Sequence, residues 1–274
     1  MKIYISFDFE GLGGVTQWSD VNKGNNFKQN YALEQLKALL KPLREYEVLI
    51  SDSHGMGDNI LWEITNEFPN VELISGGIRK YYMMSGIDSS FDRMIFFGYH
   101  SGIGEIYSTM DHTYSSSSIH NIWINGIYMN ETLINAAFGG LFNVPLAMVV
   151  GDDKLEKQLN GYFNNLIYVS TKESLGRYSA RFKPMKKLLE EIEDATQVML
   201  NYRKEDFTVF NFEKPIEMIV ELSDTAKADM VESMPLVERI DGRKIKLVHE
   251  DYKIVFEGLL AITYITLAAK YINS

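Results

Sequence analysis

The sequence predicts an α/β protein: a mostly parallel sheet with helices on both faces, followed by a smaller C-terminal α/β domain. Three observations predict this class. The apolar runs at 2–7, 47–52 and 94–99 lack regular polar alternation, as expected for strands buried on both faces. Helical patterns lie between such runs, so strand and helix alternate along the chain. The same runs end in acidic, histidine and glycine residues, which is typical of the ligand-binding edge of open α/β sheets.

Composition excludes several kinds of site. The chain has 274 residues and no cysteine, so it has no disulfide, thiol nucleophile or thiolate ligand, and any transition-metal site must use His, Asp and Glu. The formal charge of -10 and the pI near 5.1 argue against nucleic acid or an anionic membrane as a partner. The longest apolar stretch, 258–269, is too short to span a bilayer, and no signal-peptide pattern is present, which predicts a cytoplasmic protein.

The first part of the chain alternates regularly. Strand 2–7 runs into a glycine-rich turn at 11–14, and a polar loop at 22–30 leads into a helix at 31–40 that carries leucines at helical spacing. The next predicted elements are strand 47–52, helix 61–68 before Pro69, strand 71–75 and strand 94–99.

A hairpin then interrupts the parallel pattern. Residues 122–129 contain Asn125 and Gly126 between apolar runs, a pair that tolerates the positive φ angles of a type I′ turn. Asn130 is the expected N-cap of the following helix, with Glu131 in its first turn. That helix is expected to end near 139–140, before a buried strand at 145–150.

The remaining residues predict a second domain. We expect a catalytic domain at 1–160 and a smaller α/β domain at 161–274, which is a candidate to shape the substrate pocket and an oligomer interface. Its predicted elements are strand 167–170, helix 185–202, strand 216–222, helix 226–232, a hairpin turning at 241–242 and helix 252–272.

Carboxylates and imidazoles gather where these strands end. Side chains alternate along a strand, so Asp8 and Glu10 point to the same side. His54 and His100 follow two other strands, and parallel neighbours bring all these ends to one edge. With Glu131, the site would hold three carboxylates and two imidazoles. Clustered carboxylates are unfavourable without a cation, and this mixed set suits zinc or a metal pair.

Each residue taken alone has a simpler interpretation. Acid pairs such as Asp8 and Glu10 usually lie in solvated turns, and an isolated strand-end histidine is more often a hydrogen-bonded turn residue than a ligand. Glu131 alone is explained by the helix dipole. Asp52, Asp152 and Asp153 are assigned to turns or to hydrogen bonds that support ligands, and His120 and His249 are assigned structural roles.

His112 lies in a polar, serine-rich loop at 108–118. Such loops carry catalytic groups when a rigid scaffold positions them, and a histidine that binds no metal can act as a general acid or base. An ordinary flexible loop is the alternative.

The order and spacing of these motifs resemble the M55 family of metallopeptidases, the DppA-type D-aminopeptidases. The similarity is closest over the first 155 residues and continues more weakly beyond them. The motifs are Asp-Phe-Glu-Gly at 8–11, Asp-Ser-His-Gly at 52–55, Ser-Gly at 75–76, Gly-Tyr-His at 98–100, Met-Asp-His at 110–112, Asn-Gly at 125–126 with Asn-Glu at 130–131, and Val-Val-Gly-Asp-Asp at 149–153.

The resemblance implies a specific site and activity. Two zinc ions would bind to Asp8, Glu10, His54, His100 and Glu131, with Asp8 bridging and His112 as the catalytic histidine. Members of the family release N-terminal D-amino acids from short peptides, and the family suggests a decamer of two pentameric rings. Phe9 stands where the family often has methionine, and the loops at 16–30 and 101–109 depart from the family pattern, so the substrate's identity does not follow from the resemblance.

The sequence therefore predicts a dinuclear zinc aminopeptidase acting on short peptides, with no nucleic-acid or membrane partner. Two alternatives stay open. The same metals could serve another hydrolysis, of phosphoesters or of peptides and amides without D specificity, although no P-loop or arginine cluster accompanies the ligands. A non-catalytic assembly protein is the other alternative.

Overall fold

The computed structural model describes residues 1–21 and 26–269. The strands are β1 (Lys2–Phe7), β2 (Glu47–Asp52), β3 (Val71–Ile74), β4 (Arg93–Tyr99), β5 (Ile119–Ile124), β6 (Ile127–Tyr128), β7 (Leu146–Gly151), β8 (Ile167–Ser170), β9 (Glu173–Gly176), β10 (Ser179–Arg181), β11 (Ile216–Leu222), β12 (Val237–Arg239) and β13 (Lys244–His249). The α-helices are α1 (Trp18–Val21), α2 (Asn26–Leu40), α3 (Ile64–Glu67), α4 (Glu131–Gly140), α5 (Asp153–Gln158), α6 (Met185–Leu200), α7 (Thr225–Val231) and α8 (Tyr252–Ala268).

A parallel sheet forms the centre of the described structure, with the strand order β3-β2-β1-β4-β7-β8. Side chains of β1 alternate between two cores. Ile3 and Ile5 pack in a core that also contains residues of α2 and α6, whereas Tyr4 packs in a core with residues of α4 and α8. Helices therefore cover both faces of the sheet, which confirms the predicted fold class.

An antiparallel sheet packs beside the parallel one, with the order β12-β13-β11-β5-β6. Its strands come from both halves of the chain, because β5 and β6 precede residue 160 and β11 to β13 follow it. The parallel sheet likewise includes β8, which lies after residue 160. Both sheets therefore contain strands from before and after residue 160. The division of the chain into two domains at this position stays a prediction.

Two helices differ from their predicted bounds by more than two residues. Helix α2 begins at Asn26 instead of residue 31, because positions 26–30 contain a single apolar residue and so show no helical period in the sequence. The rest of the predicted loop, 22–25, lies outside the described residues. Helix α3 covers only part of the predicted 61–68, because Leu61 and Trp62 are 63% and 76% exposed and contribute nothing to a buried stripe.

Some short elements escaped prediction, and one helix end cannot be compared. Helices α1 and α5 and the hairpin β9–β10 were missed because each is too short to show a period. Helix α8 starts at Tyr252 as predicted, and its predicted end at 272 lies outside the described residues. Among the described residues, no helix combines the length and apolar character needed to cross a bilayer.

Candidate metal centre

The centre starts where β1 ends. Asp8 still donates its backbone N–H to the Phe97 carbonyl of β4, at 2.7 Å, so strand geometry continues past Phe7. Phe9 packs in the apolar core that contains residues of α2 and α6. The Asp8 and Glu10 side chains are also buried, but they do not belong to that core. Gly11 follows, and a Cβ there would lie 1.7 Å from the Tyr99 carbonyl oxygen, so only glycine permits this approach of β1 to β4. The backbone thereby brings both acids against the end of β4.

His54 completes a first group of donors with these acids. Its Nδ1 lies 2.8 Å from Glu10 Oε2 and 3.4 Å from Asp8 Oδ1. Potential ligand atoms of Asp8, Glu10 and His54 all lie within 4.8 Å of one another, the spacing of a metal site.

Asp52, the last residue of β2, supports the loop that carries His54. Its carboxylate accepts hydrogen bonds from the backbone N–H groups of Asn59 and Ile60, at 2.5 and 2.7 Å. The Asn59 side chain bridges the Asp52 carboxylate and the His54 carbonyl, at 2.8 and 2.7 Å. Asp52 is thus a supporting residue, as the sequence suggested, and it acts by closing the His54 loop.

A second group of donors lies on the other side of Asp8. Ligand atoms of His100, His112 and Glu131 lie within 4.8 Å of one another. His100 Nε2 is 3.7 Å from Glu131 Oε1 and 3.5 Å from Asp8 Oδ2. Asp8 therefore faces both groups, with Oδ1 towards His54 and Oδ2 towards His100. All five residues predicted as ligands come together, and His112 joins them.

Two buried atoms at the contact between the groups have no hydrogen-bond partner within the described part of the chain, Asp8 Oδ2 and His100 Nε2. His100 Nδ1 lies 2.9 Å from the Ser101 carbonyl and donates to it, which leaves Nε2 as a bare lone pair in the neutral ring. Buried acceptors that face each other are unfavourable unless a proton or a cation lies between them. These residues fit a bound metal.

Burial and neighbouring charges shift the pKa values of the residues in the cluster. Burial and the neighbouring Glu10 charge raise the pKa of Asp8. Burial, together with the Asp8 charge, raises the pKa of Glu131 to about 7. Burial alone would lower the pKa of His100, but the Glu131 and Asp8 charges outweigh it and raise that pKa to about 9. Protons here offset the clustered negative charge, which is what a cation does in a metal site.

His112 lies inside the protein, although its loop is polar. Its ring stacks on His100, with centroids 4.2 Å apart, and meets the edge of Trp18 at 5.1 Å. Nδ1 lies 2.8 Å from the Met110 carbonyl and donates to it, which leaves Nε2 as the lone pair, 3.9 Å from Glu131 Oε1. Burial and the His100 charge lower the pKa of His112 to about 3. The ring is therefore neutral and presents Nε2 as a lone pair that can accept a hydrogen bond or bind a metal.

The β9–β10 hairpin holds the His112 loop. Met110 donates its N–H to the Arg177 carbonyl at 2.8 Å, and Arg177 Nη1 donates to Asp111 Oδ1 at 2.5 Å. The contact explains how a serine-rich loop can be buried and ordered around His112.

The other candidate residues lie outside the cluster. Asp152 caps α5 through the N–H groups of Lys154 and Leu155 and also accepts from Ser101 N–H, beside His100. Asp153 accepts from Ser174 N–H. His120 is exposed and His249 is partly buried, and His249 Nδ1 accepts from Asp251 N–H, as expected of a structural residue.

A cavity of about 200 Å³ opens onto both donor groups. Tyr82 and Tyr114 line it beside the predicted residues, and the Tyr114 N–H holds Glu131 Oε1 at 2.6 Å. Sequence reasoning missed both tyrosines, because aromatic residues in irregular segments carry no periodic signal. Leu267 of α8 also lines the cavity, so the C-terminal part contributes to the pocket.

The chain matches known proteins over almost its whole length. A model of the Peptidase_M55 family, described as D-aminopeptidase, matches residues 1–261. The D-aminopeptidase of Bacillus subtilis (strain 168) is 24% identical over 283 residues, spanning 99% of this chain and all of the relative.

A solved structure has the same fold. It is the Zn-dependent D-aminopeptidase DppA from Bacillus subtilis, described as a self-compartmentalizing protease, with a TM-score of 0.89 and 23% identity. The similarity covers 97% of this chain and 98% of that one. From the family match over almost its whole length, the chain belongs to the M55 peptidases, the D-aminopeptidase family, and is a hydrolase of the aminopeptidase class.

Proposed function

We propose that this chain is a dinuclear zinc aminopeptidase that releases N-terminal D-amino acids from short peptides. Family membership supports the reaction, and the zinc dependence of the Bacillus subtilis relative supports the metal. The observation that carries the proposal is the position of Asp8 between two groups of buried donors, with Oδ2 unpaired in the described residues.

In this proposal five residues would hold the two metals, with Asp8 shared between two ligand sets. Glu10 and His54 would complete one set, and His100 and Glu131 would complete the other. When bound, zinc supplies a nucleophilic water at neutral pH and polarises the scissile carbonyl. Glu10 would serve only the metal on the His54 side, since its Oε2 lies 2.8 Å from His54 Nδ1.

His112 is proposed as the catalytic histidine and not as a ligand. Asp8 Oδ2 lies 3.5 Å from His100 Nε2, so Asp8 can supply the third donor beside His100 and Glu131 in place of His112. The hydrogen bond from Nδ1 to the Met110 carbonyl holds the tautomer in which Nε2 accepts a proton. His112 would take a proton from the attacking water and give it to the leaving amine, or, once protonated, stabilise developing negative charge.

The cavity favours small substrates. Its volume of about 200 Å³ is below the roughly 300–1,000 Å³ of pockets for drug-sized ligands. This volume supports a short peptide as the substrate.

We also propose that the chain forms a homo-oligomer, a decamer of two pentameric rings, in the cytoplasm. The self-compartmentalizing relative supports assembly, and Trp62, Ile106 and Tyr107 are large apolar side chains exposed on single copies. Light scattering is expected to give a mass of ten copies of the 31.4 kDa chain, and a monomer at every concentration would contradict the proposal.

A substrate panel tests the reaction. Protein freed of metal and reloaded with zinc is offered D-alanyl and L-alanyl amides, D-alanyl dipeptide and a generic phosphoester. We expect kcat/KM for the D-alanyl amide to exceed that for the L-alanyl amide by at least tenfold, about 1.4 kcal/mol in transition-state binding. Metal-free protein is the control. Preferred turnover of the phosphoester would overturn the proposal, and equal turnover of both amides would remove its D specificity.

A further inference from the structure

Lys172 is a buried ammonium beside the turn that follows β1. Lys172 lies two residues after the end of β8, at the carboxyl edge of the sheet, and its side chain is 2% exposed. Nζ donates to main-chain carbonyl oxygens of that turn: Glu10 at 2.5 Å, Val15 at 2.8 Å and Leu12 at 3.3 Å. The proposed mechanism does not use this residue.

Its neighbour Thr171 holds the same turn. The Thr171 hydroxyl donates to the Gly11 carbonyl at 2.5 Å, and its N–H donates to the Gly151 carbonyl at 2.9 Å. The two residues therefore connect the turn at 10–15 to the ends of β7 and β8. The turn is held at consecutive carbonyls by side chains that lie about 160 positions later in the chain.

Such an arrangement is unfavourable for stability alone. Removing an ammonium from water is unfavourable, and apolar side chains of similar size often replace buried charges without loss of stability. An apolar residue at 172 could fill the volume, but it could not hold carbonyl groups that converge on one point. What the ammonium adds is a defined position for the turn that carries Glu10.

We propose that Lys172 is a positioning residue for the metal centre: by binding the carbonyls of the Glu10 turn, it holds the Asp8 and Glu10 carboxylates ready for the metals. Preorganised ligands bind metal more tightly, because the ligands need not be ordered when the ion arrives. The inference rests on the metal site of the proposed function, but not on the identity of the substrate.

Zinc affinity of the whole chain tests it. Metal-free wild type and Lys172→Met compete with a chelating indicator for zinc, and unfolding is followed separately in urea. Residues that support ligands typically contribute 10- to 100-fold in metal affinity, and we expect a loss of that size, about 10- to 100-fold, in Lys172→Met. Thr171→Val removes the hydroxyl bonds to the Gly11 and Gly151 carbonyls but leaves the Lys172 ammonium in place, and we expect a smaller loss in the same direction. This variant serves if Lys172→Met does not fold.

Arg93→Met is the matched control. Arg93 is also a buried cation, 3% exposed, and donates to the carbonyls of Met199 and Tyr202 at 2.8 and 3.1 Å. It lies at the first residue of β4, the opposite edge of the sheet. We expect Arg93→Met to lower stability and leave zinc affinity within about twofold of wild type.

The outcomes separate the inference from the proposed function. Unchanged zinc affinity in a folded Lys172→Met would overturn the inference. If Lys172→Met does not fold, unchanged zinc affinity in Thr171→Val would overturn it. Equal losses of zinc affinity in Lys172→Met and Arg93→Met would overturn it as well. A wild type that binds no zinc would overturn both. A wild type that binds zinc but cleaves no D-peptide would overturn the proposed substrate, and the affinity ratios would still support the role of Lys172.

Discussion

Replacing Asp8 with alanine is expected to remove both metals and abolish peptide hydrolysis. Asp8 is the one carboxylate in the described residues whose two oxygens face different donor groups, at 3.4 Å from His54 and 3.5 Å from His100. Its loss takes a ligand from both sets at once. Elemental analysis of the purified variant and kcat/KM on a D-alanyl amide measure the effect.

The matched variant is Glu10→Ala, which leaves the bridge in place. We expect it to retain the metal on the His100 side, with a metal content near one per chain. For the Asp8 variant, we expect metal-free Asp8→Ala to be at least as stable as metal-free wild type. The reason is that removal of the Asp8 carboxylate relieves its repulsion with the Glu10 carboxylate in a buried site. An Asp8→Ala protein that keeps one metal and full activity would show that Asp8 does not bridge.

Replacing His112 with alanine is expected to leave both metals bound and to lower kcat by about 10² to 10⁴, the usual contribution of a general acid or base. The physical reason is that His112 Nε2 is a neutral acceptor beside the second donor group, in a ring that the Met110 carbonyl and Trp18 hold in place. Single-turnover kinetics on zinc-loaded protein measure the chemical step.

His120→Ala serves as the control, since His120 is an exposed histidine in β5. It should match wild type in metal content and rate. Two results would remove the role given to His112. Loss of metal would make His112 a ligand, an arrangement that its spacing to His100 and Glu131 also allows. Full activity on every cleavable peptide would leave it without a catalytic role.

The cluster could be found from sequence because strand ends share an edge. Asp8, His54 and His100 each follow an apolar run, and parallel pairing of β2, β1 and β4 brings those ends together. Glu131 was accessible through a different signal, the N-cap Asn130, whose side chain accepts from Leu133 N–H in the structure. Local patterns were enough because the ends of adjacent parallel strands lie at the same edge of the sheet, so residues that follow those strands lie close together.

The supporting residues could not be found this way. Lys172 contacts the Glu10 turn only because β8 lies at the edge beside β7, a neighbour relation that no local pattern encodes. Arg177 supports the His112 loop from a hairpin too short to show alternation. Tyr82 lies in a 3₁₀ segment with a left-handed backbone, φ 42°, where side-chain direction does not follow helix or strand periodicity. Tertiary contact determined each of these positions.

Anomalous diffraction at the zinc edge, from crystals of the zinc-loaded protein, tests the central claim most directly. We expect two peaks about 3.5–4 Å apart on either side of the Asp8 carboxylate. One should be coordinated by Glu10 and His54 and the other by His100 and Glu131, with His112 outside both coordination shells. A single peak, or a peak with His112 Nε2 at coordination distance, would contradict the account.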